Sequence, residues 1–366
     1  MCQSYERWLD HEIGPASAER QEAIVSSAKD AKLSAIMNSY AVRLVHAKCP
    51  RFDALAIADR LRYGSFVSLE HKILYVETPK AACTTIKSLL RRLCAAPPIE
   101  LRLGTQPETR RDMFIHIRSN VPLPSLVDLD DATQAHVLTS SDFFRFCVVR
   151  NPYTRLISAW RNKVMPCEPG YEYIYRKMTG DVPPLISKRF LSFEQFLQFV
   201  ASENDLSSCN PHWRRQVDLL FYSILPYTHI GQIEELDKTA DLLQNHLRFP
   251  ERLRLTSSNS SGKTDMALSE DLAERIYQLY VSDFIAFGYD KESWRTRHAE
   301  ATTESGNPDA RMMDEIVERN LVISHLYKEY AEIEWRYRAA YRFSLARLRD
   351  SLRRILGRTS DSKRTP

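Results

Sequence analysis

A lysine and two threonines stand where an apolar segment gives way to a helical pattern. The segment from Ile73 to Val76 is strongly apolar, as in a buried strand, and Pro79 and Lys80 follow it in a turn. Thr84 and Thr85 lie in the first turn of the helical pattern that follows. The first amides of a helix lack intrahelical partners, so together with an ammonium group and two hydroxyls they could bind a phosphate-like anion. An ordinary strand-to-helix turn with a capping threonine is the alternative.

A second basic residue ends another predicted strand. The segment from Phe146 to Val149 is apolar, Arg150 follows it, and Pro152 opens a helical segment that carries Ser158. In an open α/β sheet, ligands bind beyond the carboxyl ends of the strands. Arg150 and Ser158 could therefore hold one phosphate group while Lys80 holds another. We expect the ligand to be a bisphosphorylated nucleotide.

These two segments resemble the sulfotransferase superfamily, and in particular the branch of the HNK-1-type carbohydrate sulfotransferases. Pro79 to Thr85 resembles the family's first motif, Pro-Lys-x-(Gly/Ala)-(Cys/Ser/Thr)-Thr, which binds the 5′-phosphosulfate of phosphoadenosine phosphosulfate (PAPS). Val149 to Arg161 resembles the second, Val-Arg-(Asp/Asn)-Pro-(Phe/Tyr)-x-Arg-Leu-x-Ser-Ala-(Phe/Tyr/Trp)-Arg, which binds the 3′-phosphate. The resemblance implies a PAPS site formed by Lys80, Ala81, Ala82, Cys83, Thr84, Thr85, Arg150 and Ser158.

The resemblance extends over roughly residues 70 to 290. His212 to Gln216 resembles the branch's His-Trp-x-Pro-Gln element, with Arg215 in place of the proline. Tyr227 to Leu236 resembles a strand-turn that precedes a helix, and Asp283 to Tyr289 resembles the closing Tyr-x-x-Asp-Phe-x-x-Phe-Gly-Tyr stretch. The fold implied is α/β, a P-loop-like three-layer fold with a central parallel sheet and helical extensions at both ends.

The catalytic domain is predicted to span residues 67–295, between a helical extension at residues 1–66 and one or two long amphipathic helices at residues 308–358. Apolar side chains in the C-terminal segment recur at the steps of a coiled-coil seam, and basic residues are concentrated from Arg336 to Arg364. Three uses of that segment stay open at this point: a homodimer contact, packing on its own chain, and peripheral contact with an anionic membrane.

Further elements follow from local patterns. A helix is predicted to begin near Cys83, and a third core strand is expected within Leu219 to Ile230. Ser261 and Lys263, in a polar loop, are weaker candidates for cofactor binding, and a solvated linker is the alternative there. Other helices are predicted at Phe193 to Val200, Leu236 to His246 and Leu268 to Tyr280.

The chemistry implied is in-line transfer of a sulfuryl group from a phosphate oxygen to an acceptor, by analogy with loose phosphoryl transfer. Lys80 is suited to stabilise the departing phosphate. A general base must take the acceptor's proton, and histidine is the usual choice near neutral pH. His116, on a strand predicted from Phe114 to Ile117, is the first candidate. The remaining candidates are His212, His136 and Glu77.

Composition narrows the class of protein further. A net charge of +4 is too small to imply a nucleic-acid partner, and no segment approaches the roughly 18 consecutive apolar residues that span a bilayer. Seven cysteines, an odd number without Cys-x-x-Cys spacing, argue against a disulfide framework and a zinc ribbon. Animal members of the resembled branch are Golgi enzymes with an N-terminal membrane anchor. The polar N-terminus therefore leads us to expect a bacterial-type enzyme of the cytoplasm, with peripheral contact with the membrane as an open alternative.

The expected activity is transfer of a sulfuryl group from PAPS to a hydroxyl of a carbohydrate or glycolipid acceptor, without a metal. A P-loop kinase is one alternative, but it would need Gly-x-x-x-x-Gly-Lys-(Ser/Thr), and Pro79 to Thr85 contains no glycine. A non-catalytic nucleotide-binding scaffold is another, and it would use its terminal helices as the working surface.

Overall fold

The structure is a computed structural model that describes most of the chain between residues 36 and 297. The described residues are 36–97, 115, 116, 118–180, 191–203, 205–248, 253, 255, 268–297, 316, 319, 320 and 323. They fall into two compact units, one formed by residues 1–158 and 203–302 and the other by residues 159–202 and 303–366. Ser261, Lys263 and most of the predicted segment 308–358 lie outside the described residues.

A four-stranded sheet forms the centre of the first unit. Its strands, in spatial order, are β1 (Ser65–Ser68), β2 (Ile73–Val76), β3 (Phe144–Val149) and β4 (His229–Gln232). β2, β3 and β4 are parallel, whereas β1 is antiparallel to β2. The α/β class is therefore confirmed, and the expected parallel sheet is formed by β2, β3 and β4, whereas β1 adds an antiparallel edge strand. The turn that joins β1 to β2 is too short for the crossover that parallel strands require.

Helices cover both faces of this sheet. On one face, α1 (Tyr40–Lys48), α2 (Ala54–Gly64) and α4 (Asp131–Thr139) pack in one apolar cluster with Leu74 and Val76. On the other face, α3 (Cys83–Leu93) and α9 (Leu236–Leu247) pack against Ile73 and Tyr75. This alternation of faces follows from the two-residue period of a strand.

The third core strand lies at the far end of its predicted range. Gln216–Leu219 is a short helix, α8, and β4 begins only at His229. Between them, Phe221 and Ser223 have positive φ angles, which are typical of turns. Their neighbours Leu220 and Leu225 are nevertheless buried. An apolar segment can thus form a buried turn as well as a strand, so the apolar pattern did not determine where the strand begins.

The helix predicted from Leu268 to Tyr280 continues past its predicted end, across a kink. It is α10 (Glu270–Phe287), and the kink lies at Tyr280, whose φ of −120° and ψ of 19° are not helical. At the start of the helix, the side chain of Ser269 accepts a hydrogen bond from Leu272 N. Gly288 ends it with a φ of 69°, a left-handed conformation that glycine adopts without steric cost.

α5 (Pro152–Ala159) belongs almost wholly to the first unit. The described part of the second unit contains a π-helical turn at Trp160–Val164, α6 (Glu172–Thr179) and α7 (Phe193–Ala201). The described residues 316, 319, 320 and 323 of this unit are also helical. Within this unit, Trp160 Nε1 donates to Leu191 O at 2.8 Å.

Candidate active site

The turn after β2 has an unusual backbone. Lys80 and Ala82 have φ angles of 70° and 56°, in the left-handed region that side chains with a Cβ atom rarely adopt. Such a conformation costs about 1 to 2 kcal/mol per residue. Ala82 caps the N-terminus of α3, and an alanine side chain cannot accept a hydrogen bond from the first helical amides. An anion is therefore a natural acceptor at this end of the helix.

The second predicted segment contacts this turn directly. Arg150, immediately after β3, donates from Nη1 to Lys80 O at 3.2 Å and from Nε to Thr154 Oγ1 at 3.0 Å. The guanidinium of Arg150 thus lies against the main chain of Lys80, so the two segments predicted to bind the two ends of one ligand are in contact. Ser158 is 4% exposed and lies on α5, the helix that begins after Arg150.

His116 lies beside the first segment. Its Nε2 is 3.1 Å from Thr84 Oγ1. The expectation that His116 is on a strand is wrong, because Ile115 and His116 form a turn that leads into a 3-10 helix at Arg118–Asn120. Phe114 and Ile117 lie outside the described residues.

The side chain of Arg118 joins the 3-10 helix to α2. It donates to the carbonyl oxygens of Arg62 at 3.2 Å, Val121 at 3.1 Å and Leu123 at 2.7 Å. Arg62 lies near the end of α2, and Val121 and Leu123 follow the 3-10 helix. The guanidinium therefore satisfies carbonyl groups of two separate segments.

The other histidine candidates differ in position. His212 makes a contact of 2.9 Å between Nδ1 and Asn210 Oδ1, and its segment adjoins the first turn through Arg155, which donates to Pro211 O at 2.8 Å. His136 lies on α4, which comes immediately before β3 in the chain. It is therefore near the start of β3, at the opposite end of the sheet from Lys80. His212 thus stays a candidate for the base, whereas the position of His136 argues against it.

Two other groups near the turn are unsuited to proton transfer. Glu77 is 3% exposed and pairs with the ammonium of Lys87, which is itself 2% exposed. The carboxylate is thereby held away from any acceptor. The thiol of Cys83 is also buried, and burial, with the nearby Glu77 carboxylate, raises its pKa. Cys83 therefore contributes a backbone amide and a neutral side chain.

Arg215, which stands where the resembled element has proline, preserves the backbone of that element. Its φ is −54°, close to the value that a proline ring imposes. Its guanidinium donates from Nε to Asp218 Oδ2 at 2.8 Å. The backbone at the entry into α8 is therefore one that a proline could also adopt.

Arg155 is the contact residue that sequence reasoning overlooked. It is 2% exposed and donates from Nε to Pro79 O at 3.1 Å. Its position within the second motif was the sequence signal for a role at the site, since no sequence pattern predicts which carbonyl group accepts a hydrogen bond from a buried arginine. Among the described residues, no group of three or more His, Cys, Asp and Glu side chains is arranged to hold a metal ion.

Comparison with known proteins finds several carbohydrate sulfotransferases. The chain is 28% identical to carbohydrate sulfotransferase 14 of Danio rerio over 238 residues, or 61% of each protein. It is 28% identical to carbohydrate sulfotransferase 10 of Pongo abelii over 64% of this chain and 68% of the relative. It is 27% identical to carbohydrate sulfotransferase 12 of Mus musculus over 60% of this chain and 58% of the relative. The first match thus spans less than two thirds of the relative's length. No solved structure matches significantly.

These relatives overturn the expected cytoplasmic, bacterial-type location. They are vertebrate carbohydrate sulfotransferases of the Golgi type, which are membrane-anchored lumenal enzymes. Cysteine content does not identify the compartment, because buried thiols such as those of Cys83, Cys147 and Cys209 pack as small apolar groups wherever the protein folds. Within the described part of the chain, no helix is both long and apolar enough to cross a membrane.

The match to a whole family covers both segments predicted to bind anions and the elements that hold them. The sequence profile of the Sulfotransferase family matches residues 63–290, which begin at the end of α2 and run to just beyond α10. The resemblance seen in the sequence is thereby confirmed. The chain belongs to the sulfotransferase family.

Proposed function

We propose that the protein transfers a sulfuryl group from PAPS to a hydroxyl group of a carbohydrate. The observation that carries this proposal is the contact between Arg150 and the carbonyl of Lys80, which unites two cationic strand ends in one site. Family membership and the names of the relatives support the reaction and the class of acceptor.

The side chains of the site suit a nucleotide with phosphate groups at both ends. Lys80, Thr84 and Thr85, with the amides at the start of α3, would bind the 5′-phosphosulfate in a P-loop-like cradle that lacks glycine. Arg150 and Ser158 would bind the 3′-phosphate. The buried carboxylate of Glu77 is paired with the ammonium of Lys87, which offsets part of its repulsion of an anion.

Each residue would have a separate task in the transfer. When bound, PAPS supplies the sulfuryl group and an oxygen of its 5′-phosphate as the leaving atom. The ammonium of Lys80 would stabilise the negative charge that develops on that oxygen. His116 would accept the proton of the attacking hydroxyl, since its Nε2 faces the hydroxyl of Thr84 beside the cradle. These residue assignments are proposals, and so are the domain boundaries at residues 67 and 295.

The direct test is transfer of radiolabelled sulfate from PAPS to a panel of defined saccharides. The parent protein should label at least one saccharide, and Lys80→Met should lose about a hundredfold or more in turnover, a larger effect than its loss of nucleotide affinity. Arg150→Met should chiefly weaken binding of adenosine 3′,5′-bisphosphate, because a 3′-phosphate contact is the same before and during transfer. Unchanged affinity in Arg150→Met would contradict its assignment.

Two results would favour the other functions. Magnesium-dependent ATP turnover without sulfate transfer would indicate a kinase, and nucleotide binding without transfer to any saccharide would indicate a scaffold. The use of the segment 308–358 as a dimer or membrane contact stays a separate prediction, which sedimentation and vesicle binding of the full chain can test.

A further inference from the structure

The side-chain amide of Gln216 makes hydrogen bonds with both main-chain polar groups of Arg150. Gln216 Oε1 accepts a hydrogen bond from Arg150 N at 2.9 Å, and Gln216 Nε2 donates to Arg150 O at 2.8 Å. β3 pairs with β4 only as far as Val149, which lies opposite Gln232. Gln216 therefore supplies for Arg150 the two hydrogen bonds that a neighbouring strand would otherwise provide.

A buried carboxylate holds Gln216 in turn. Asp283 Oδ2 accepts from the backbone amide of Gln216 at 2.8 Å, and Oδ1 accepts from Val217 N at 3.0 Å. Oδ2 also lies 3.3 Å from Gln216 Nε2. Asp283 and Gln216 are both fully buried, at 0% exposure. Their polar atoms are thus used within the protein, and neither side chain can reach a ligand.

These contacts join two segments that resemble elements of the family but had no predicted role for Gln216 or Asp283. Gln216 closes the segment from His212, and Asp283 opens the segment that ends at Tyr289. We propose that Gln216 and Asp283 are positioning residues that fix the main chain of Arg150 and thereby determine how strongly the site prefers a nucleotide with a 3′-phosphate. This inference depends on the proposed function, in which Arg150 binds the 3′-phosphate.

The physical reason is the length of the arginine side chain. A guanidinium at the end of a long, flexible stem makes a well-aligned contact only if its Cα atom is fixed, since misplacement by about 1 Å can cost about a hundredfold in a positioned contact. Loss of the clamp would also leave the amide and carbonyl of Arg150 without these partners inside the protein. Arg150 would then shift, while the 5′-phosphate cradle at Lys80 would stay in place.

The test compares the dissociation constants of adenosine 3′,5′-bisphosphate and adenosine 5′-monophosphate. Gln216→Met preserves approximate length and removes both hydrogen bonds. It should reduce the preference for the bisphosphate about tenfold or more and leave the affinity for the monophosphate unchanged. The double variant Gln216→Met/Arg150→Met should show no lower preference than Arg150→Met alone, because both changes remove the same contact.

A matched control is available in α4. Gln134 is 2% exposed, accepts from Ala41 N at 3.0 Å and donates to Leu129 O at 2.7 Å. Gln134→Met should therefore destabilise the fold by a similar amount and retain the full preference. Asp283→Asn is the second variant, for use if Gln216→Met does not fold. It places an NH₂ group against an N–H donor and should lower the preference in the same direction.

Two results would overturn the proposal. One is a preference in Gln216→Met or Asp283→Asn that stays within about twofold of the parent value, well inside the expected loss. The other is an equal loss of affinity for both nucleotides, which Gln134→Met would share if general destabilisation were the cause. A parent protein with no preference at all would instead contradict the proposed function, so the two failures are distinguishable.

Discussion

Arg155 donates a hydrogen bond from Nε to the carbonyl oxygen of Pro79 at 3.1 Å. Its two terminal nitrogens donate to the carbonyl oxygens of Arg214 and Pro211, each at 2.8 Å. One buried guanidinium therefore joins the turn that carries Lys80 to the segment that carries His212. A planar group with donors in a fixed fork suits this arrangement, whereas the single ammonium of a lysine does not.

Arg155→Lys should consequently slow the reaction more than it weakens nucleotide binding. The variant retains the positive charge but cannot serve three carbonyl oxygens, so the strained turn at Lys80 loses a support. We expect turnover to fall by about tenfold to a hundredfold. The measurement is kcat and KM for PAPS, together with the midpoint of urea unfolding.

Arg145 provides the control for this variant. It is 7% exposed, donates from Nε to Pro226 O at 2.6 Å, and lies near the start of β3, away from the site. Arg145→Lys should lower stability to a similar extent without the loss in turnover. Equal kcat values for the two variants at matched stability would show that Arg155 is purely structural.

Local signals in the sequence predicted the parts of the site that depend on neighbouring residues. β2 and the start of α3 at Cys83 were predicted correctly, because an apolar segment followed by a helical repeat specifies both. Arg150 was placed correctly for the same reason. The contact between Arg155 and Pro79 joins residues 76 positions apart, and no local pattern encodes it.

His116 shows the limit of the same reasoning. Its proximity to Thr84 agrees with the expectation, but the strand assigned to it was wrong, because Ile115 and His116 form a turn. The clamp formed by Gln216 and Asp283 was also beyond prediction. A single buried side-chain amide that supplies the hydrogen bonds of a neighbouring strand leaves no periodic pattern of apolar residues in the sequence.

The backbone of Ala82 leads to a second prediction. Because its φ of 56° is unfavourable for alanine, Ala82→Gly should relieve steric strain of about 1 kcal/mol, offset by a similar gain of entropy in the unfolded chain. We expect stability within about 1 kcal/mol of the parent and unchanged affinity for adenosine 3′,5′-bisphosphate. Urea unfolding and calorimetric titration would measure the two quantities.

Contrasting variants make this prediction specific. Ala82→Val adds a β-branched side chain at a left-handed position, so it should weaken nucleotide binding by distorting the start of α3. Ala81→Gly removes a methyl group that is 0% exposed, and it should destabilise the protein by about 1 kcal/mol through lost burial. Normal binding by Ala82→Val, combined with weak binding by Ala82→Gly, would contradict the role assigned to this backbone.

The contact between His116 and Thr84 gives the last prediction, which concerns the general base. His116→Ala should lose about a hundredfold or more in turnover, since general-base catalysis contributes that much, while the affinity for adenosine 3′,5′-bisphosphate stays the same. The acid limb of the kcat profile against pH should also disappear, because that limb reports protonation of the base. His212→Ala is the matched comparison: it should retain the acid limb and most of the turnover. Near-normal turnover in His116→Ala, with a large loss in His212→Ala, would assign the base to His212, whose segment reaches the same turn through Arg155.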